Sequence, residues 1–133
     1  MTLTGGCQCG AVRYSAVGSP EHHALCHCAD CRKSAGAPMV GWIAFPENAL
    51  SVEGRPTRFE SSPGVTREFC GTCGTGLFYR NPAMLPGIVD VQSATLDDPA
   101  ASPPQAEIMV CERLVWMDEV GGLPRFERYP GMD

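Results

Sequence analysis

Seven of the eight cysteines fall into three tight groups, "CQC" at 7–9, "CHCADC" at 26–31 and "CGTC" at 70–73. Thiols this crowded end as disulfides, redox pairs or ligands of a shared ion, and each outcome dictates a different fold. The N-terminus has no basic start followed by an apolar stretch, so the expected compartment is the cytoplasm. Thiols stay reduced there, and clustered cysteines more often serve metals or catalysis than bridges.

Spacing divides the groups. Cys7 and Cys9 are two apart, so in an extended segment both point to one face, and Gly5, Gly6 and Gly10 let the backbone bend around them. Cys70 and Cys73 have the C-x-x-C spacing of a tight turn, helped by Gly71 and Gly74. Together the two pairs offer four thiolates to one tetrahedral zinc, with Zn–S bonds of about 2.3 Å. The reading is a structural staple.

Cys26, Cys28 and Cys31 remain as a separate three. Structural zinc takes four protein ligands, whereas catalytic zinc keeps three and an open position. The expectation is an open site; a closed one needs a fourth ligand from His22, His23, His27 or Cys111, and bare thiols are the third reading. His27, wedged between two ligands, is expected to point away. A zinc on three thiolates is electron-rich and a modest Lewis acid, better at holding an ionised thiol than at activating water. Two Zn²⁺ per chain follow from this division.

The rest of the chain reads as one all-β domain over 1–133. Short β-branched or aromatic segments punctuated by glycine and proline suggest antiparallel strands at 11–17, 39–45, 57–61, 65–69, 76–80, 87–92, 107–110 and 114–117. A short helix fits 29–36, ended by Gly36 and Pro38, and "LDDPAASPPQ" (96–105) is a loop. Trp42, Phe78 and Trp116 are expected in the core, Cys111 as a small buried residue, and "HH" at 22–23 as a surface turn. A net charge of −5 argues against nucleic-acid binding and gives no reason for binding anionic membranes. No apolar run approaches the roughly 18 residues of a membrane span. The oligomeric state is not legible.

With these residues in hand, the chain resembles the glutathione-dependent formaldehyde-activating enzymes, which share a domain with centromere protein V. The matching stretches are "GGCQCGAVRY" (5–14), "CHCADCRKSAG" (26–36), "REFCGTCGTGL" (67–77), "ATLDDP" (94–99) and the late Trp116. The resemblance implies an Mss4-like zinc-stabilised fold, a structural zinc on Cys7, Cys9, Cys70 and Cys73, and a catalytic zinc on Cys26, Cys28 and Cys31. It implies a carbon–sulfur lyase that joins glutathione to formaldehyde as S-hydroxymethylglutathione. Arg32 and Lys33, directly after the last triad cysteine, would clamp a carboxylate of such a thiol or else form a solvated turn. Arg67, Arg80 and Arg113 are weaker candidates, and Asp97–Asp98 reads as a loop or cap. The chain departs from many members where they carry His–Ile, since it has Glu107–Ile108. The competing readings are a non-catalytic module with two structural zincs and a disulfide redox protein.

Overall fold

The computed structural model describes residues 1–132. Ten strands run in chain order: β1 (Thr2–Gly6), β2 (Arg13–Val17), β3 (His22–Cys26), β4 (Val40–Pro46), β5 (Leu50–Glu53), β6 (Thr57–Ser62), β7 (Val65–Phe69), β8 (Gly76–Arg80), β9 (Ile88–Gln92) and β10 (Ala106–Ile108), with one helix, α1 (Ala29–Ala35), after β3. They form a three-stranded sheet, β1-β2-β5, and a seven-stranded sheet ordered β10-β3-β4-β9-β8-β7-β6. Every pairing is antiparallel except β10 against β3, which is parallel. The all-β expectation holds.

The two sheets pack face to face around one core. Leu3, Val12, Tyr14 and Ala16 from the small sheet meet Ile43, Phe45, Phe78 and Val91 from the large one. Tyr14 stands edge-on to Phe78 at 5.5 Å, a geometry favoured by the ring quadrupoles. The buried Tyr14 hydroxyl is satisfied by Thr95 Oγ1 at 2.7 Å; since Thr95 Oγ1 itself donates to the Gln92 carbonyl, Tyr14 is the donor. Strand β4 is central, and Trp42 through Phe45 are all buried. One face of β4 therefore belongs to this core and the other lies under α1, where Trp42, Val40, Cys26 and Cys31 form a second cluster.

An ion pair ties the small sheet to the loop that follows β9. Arg13 of β2 donates to both carboxylate oxygens of Asp97, at 2.8 and 2.5 Å, and Thr4 Oγ1 donates to Oδ2 at 2.7 Å. These hydrogen bonds, from Arg13 first, hold the Asp97 carboxyl down to about 2. A depressed carboxyl stabilises the fold above its unfolded value, near 3.9, and that contribution fades as pH falls toward the folded value. Asp97→Asn should therefore lower the thermal midpoint at neutral pH, and the gap from wild type should shrink steadily between about pH 5 and pH 3. A pH-independent gap would show that Asp97 acts without its charge.

Several expectations are corrected. The 22–26 segment is a strand, not a turn, and His23 is buried: Nδ1 donates to the Ser102 carbonyl at 2.8 Å and Nε2 sits 2.8 Å from Ser93 Oγ. In the neutral ring Nε2 accepts from the serine, so His23 ties the 96–105 loop to the sheet. The expected strand at 114–117 falls within 3₁₀ turns (Val115–Gly122) and pairs with nothing among the described residues. Trp116 is 48% exposed, and Cys111 is exposed too. β10 stops at Ile108 because Met109 turns left-handed at φ 55, a conformation that breaks strand pairing. No helix among the described residues is long and apolar enough to cross a membrane.

Candidate metal centres and the cleft beside them

The first cluster is built from two turns of matching design. Cys7 follows β1 and Cys70 follows β7. In each turn the first cysteine's N–H donates to a carbonyl five residues on, Cys7 to Val12 at 3.0 Å and Cys70 to Thr75 at 2.9 Å. A glycine with positive φ closes each turn, Gly10 at 83° and Gly74 at 82°, where a Cβ would strain the backbone. The "CQC" pair therefore sits in the β1–β2 turn, not in the extended segment that its spacing suggests. Backbone N–H groups then face sulfur: Val12 donates to Cys7 Sγ at 3.2 Å and Cys73 to Cys70 Sγ at 3.5 Å.

These turns bring the sulfurs of Cys7, Cys9, Cys70 and Cys73 within 4.8 Å of one another. Cys7 to Cys9 is 3.6 Å and Cys9 to Cys70 is 3.7 Å. A tetrahedron with Zn–S bonds of about 2.3 Å has edges of about 3.8 Å, so the spacing fits zinc, and none of the eight cysteines is in a disulfide. The Thr75 hydroxyl, 3.2 Å from Cys73 Sγ, is the main cause that draws that thiol down to about 5.

The second cluster sits where β3 runs into α1. Cys26 ends the strand and Cys28 is the helix N-cap, its sulfur accepting the Cys31 N–H at 3.2 Å. Cys31 lies in the first turn, so cap and ligand spacing are one feature: residues three apart at a helix start meet across the cap. Gly36, left-handed at φ 64, ends the helix as its sequence promises. The three sulfurs lie within 4.8 Å of one another, and no other histidine, cysteine or acidic ligand atom joins them among the described residues. Each proposed fourth ligand is engaged or elsewhere. His23 is held by Ser93 and Ser102, and His27 turns away to Glu107 Oε1 at 2.9 Å. His22 lines the same cleft without joining the sulfurs, and Cys111 is exposed.

Burial pushes the Cys26 thiol up to about 12. At Cys31 burial also raises the thiol, but hydrogen bonds from Cys28 and from Arg67 outweigh it and leave the group below its ordinary value. Arg67 Nη2 is 3.7 Å from Cys31 Sγ, and its guanidinium lies 5.0 Å over the Tyr79 ring. Three thiols in so apolar a place are ionised together only with a cation among them.

The triad opens onto a cleft of about 730 Å³, within the 300–1,000 Å³ range of small-molecule sites. Its floor is one face of the large sheet. Register places His22, Ala44, Asp90, Tyr79 and Arg67 in one row across five strands, and Trp42, Ile108 and Met109 complete the walls. Arg32 and Lys33 do not line this cleft. Arg32 is tied to the His27 carbonyl at 3.2 Å and the Glu112 carbonyl at 3.4 Å, and Lys33 borders a smaller hollow beyond Arg67. The cation beside the triad is Arg67, which sequence spacing placed no nearer than Arg80 or Arg113. Asp90 was passed over as well, although a lone charge inside the apolar run "GIVDVQ" was a visible signal.

A two-layer β domain with a four-sulfur cluster, and a three-sulfur cluster open to a cleft, defines a class of cysteine-rich proteins whose clusters could hold metal ions. The chain belongs to the glutathione-dependent formaldehyde-activating enzyme family, whose model matches residues 2–112. A Halomonas elongata protein named "Putative glutathione-dependent formaldehyde-activating enzyme" is 29% identical over 130 residues, covering 89% of this chain and 81% of that protein. An "Uncharacterized lyase" of Schizosaccharomyces pombe is 28% identical over 75 residues, 56% of this chain and 55% of its own length. A crystal structure of a Rhodobacter sphaeroides protein has the same fold, with a TM-score of 0.62 at 21% identity, covering 78% of this chain and 98% of that one.

Proposed function

We propose that the chain is a zinc-dependent carbon–sulfur lyase of the glutathione-dependent formaldehyde-activating type. Cys7, Cys9, Cys70 and Cys73 would hold a structural zinc; Cys26, Cys28 and Cys31 would hold a second one that keeps a fourth position for an incoming thiol. The observation that carries the reading is the three-sulfur cluster facing the cleft with no fourth ligand atom among the described residues. Family membership and the lyase name of a relative support the reaction class.

Zinc on the triad would supply the positive charge that keeps a thiol ionised at neutral pH. The chain's own residues do the rest. Trp42 and Tyr79, 5.7 Å apart, wall the site and restrict water. Arg67, beside Cys31, offers a guanidinium to an oxyanion or a carboxylate. The thiolate sulfur attacks the aldehyde carbon, the C=O electron pair moves to oxygen, and the oxygen takes up a proton to leave an S-hydroxymethyl thioether. The reverse step breaks the same C–S bond and returns thiol and aldehyde. Holding both reactants in the cleft removes the entropy of a two-body encounter.

Exchange spectroscopy of formaldehyde with glutathione tests the proposal. The zinc-loaded protein should speed their interconversion on the order of 100-fold over the buffer rate. An unchanged rate with glutathione and with a panel of other thiols would leave the non-catalytic module with two structural zincs as the better reading.

A further inference from the structure

Asp90 is 6% exposed in the middle of the cleft floor, and its Oδ1 has no hydrogen-bond partner among the described residues. No ion pair reaches it among those residues either; the salt bridges run through Asp97, Glu107, Glu47, Glu68 and Asp118. A carboxylate so enclosed and unpaired is costly, and such groups persist where a ligand completes them. His22 stands in the same row with Ala44 between them and forms no ion pair with Asp90 among the described residues.

Its position relative to the triad is informative. Asp90 is the cross-strand partner of Tyr79, and Tyr79 is the partner of Arg67, whose guanidinium touches Cys31. Directly opposed residues have Cβ atoms about 5 Å apart, so a single tyrosine separates the carboxylate from the arginine at the sulfurs. The cleft thus has a cation, Arg67, beside the triad and an unpaired buried carboxylate, Asp90, one side chain further along the row, with Tyr79 between them. We propose that Asp90 is a specificity residue that binds a primary ammonium on the substrate, so that the cleft selects thiols carrying an amino group several bonds from sulfur. The inference rests on the reading of the cleft as a thiol site and adds to it what the rest of the thiol must look like. Burial raises the Asp90 carboxyl, with His22 opposing the rise, and an ammonium against it would offset that cost.

Isothermal titration of the zinc-loaded protein with glutathione, and with the analogue that lacks its α-amino group, provides the test. Wild type should bind glutathione roughly 10- to 100-fold more tightly, the range for a hydrogen bond between charged groups. Asp90→Asn should bind both thiols alike, at the level of the analogue, with unchanged zinc content and circular dichroism. Equal affinities in wild type overturn the proposal without any variant, and so does a preference that survives Asp90→Asn. Rate acceleration with both thiols alike would retain the lyase and remove the ammonium pocket. Selective binding without acceleration would do the reverse, and binding of neither thiol would remove both.

Discussion

Cys70→Ser is expected to abolish the cooperative unfolding transition at neutral pH. Cys70 is buried to 1% exposure inside the main core, and its sulfur meets Cys9 across 61 residues of chain. Structural zinc contributes about 10–16 kcal/mol in small domains where it has been isolated, against a total stability of about 5–15 kcal/mol for a whole domain. The two ranges overlap, so losing the metal removes a contribution as large as the whole stability of a typical domain. Zinc per chain, measured on reduced protein, should be two in wild type, and a chelator should strip the metals in order. The triad, open on one side, should empty first with the fold intact, and the four-sulfur site should empty only with unfolding. A Cys70→Ser protein with a normal melting transition would show that the sheets hold without the staple.

Cys28→Ser should do the opposite, leaving the fold and removing the chemistry. Serine is among the best N-cap residues, so the hydroxyl can take over the Cys31 N–H that Cys28 now accepts, and α1 should survive with a change of about 1 kcal/mol or less. The metal site should not survive, because a neutral hydroxyl replaces a thiolate in a set that has only three. Zinc should fall from two to one per chain, and acceleration of thiol–formaldehyde exchange should drop to the buffer rate. If Cys28→Ser instead unfolds as Cys70→Ser is expected to, the triad is a structural centre and the lyase proposal fails.

The site was more legible than the sheet that carries it. Cysteine spacing separates the four from the three because ligand geometry is local, and turn glycines such as Gly74 announce the bends that deliver it. β7 and β8 were readable to the residue, and the end of α1 was announced by Gly36, whereas its cysteine cap emerged only in the structure. β3 was hidden, since "HHALC" looks polar at its start and becomes a strand only between β4 and β10. Its parallel partner β10 lies some eighty residues on, which no local pattern reports. "LVWM" has the composition of a strand but pairs with no strand among the described residues and runs into 3₁₀ turns instead. Arg67 and Asp90 share a surface only through the register of three strands, β7, β8 and β9, and register is a property of pairing, not of composition.

The division of sulfurs between two distant turns has a consequence for how the chain is made. During synthesis Cys7, Cys9, Cys26, Cys28 and Cys31 emerge before Cys70 and Cys73 exist, and any metal present then meets five thiols with no correct set of four. A wrong partition, such as Cys7 and Cys9 with two of the triad, closes a shorter loop than the native pairing and is favoured by loop entropy. Only completion of the β7–β8 turn makes the native set available. Zinc delivered too early would therefore be a source of kinetic traps, and on the two-zinc proposal the yield of folded protein should depend on when zinc arrives as well as on how much is supplied.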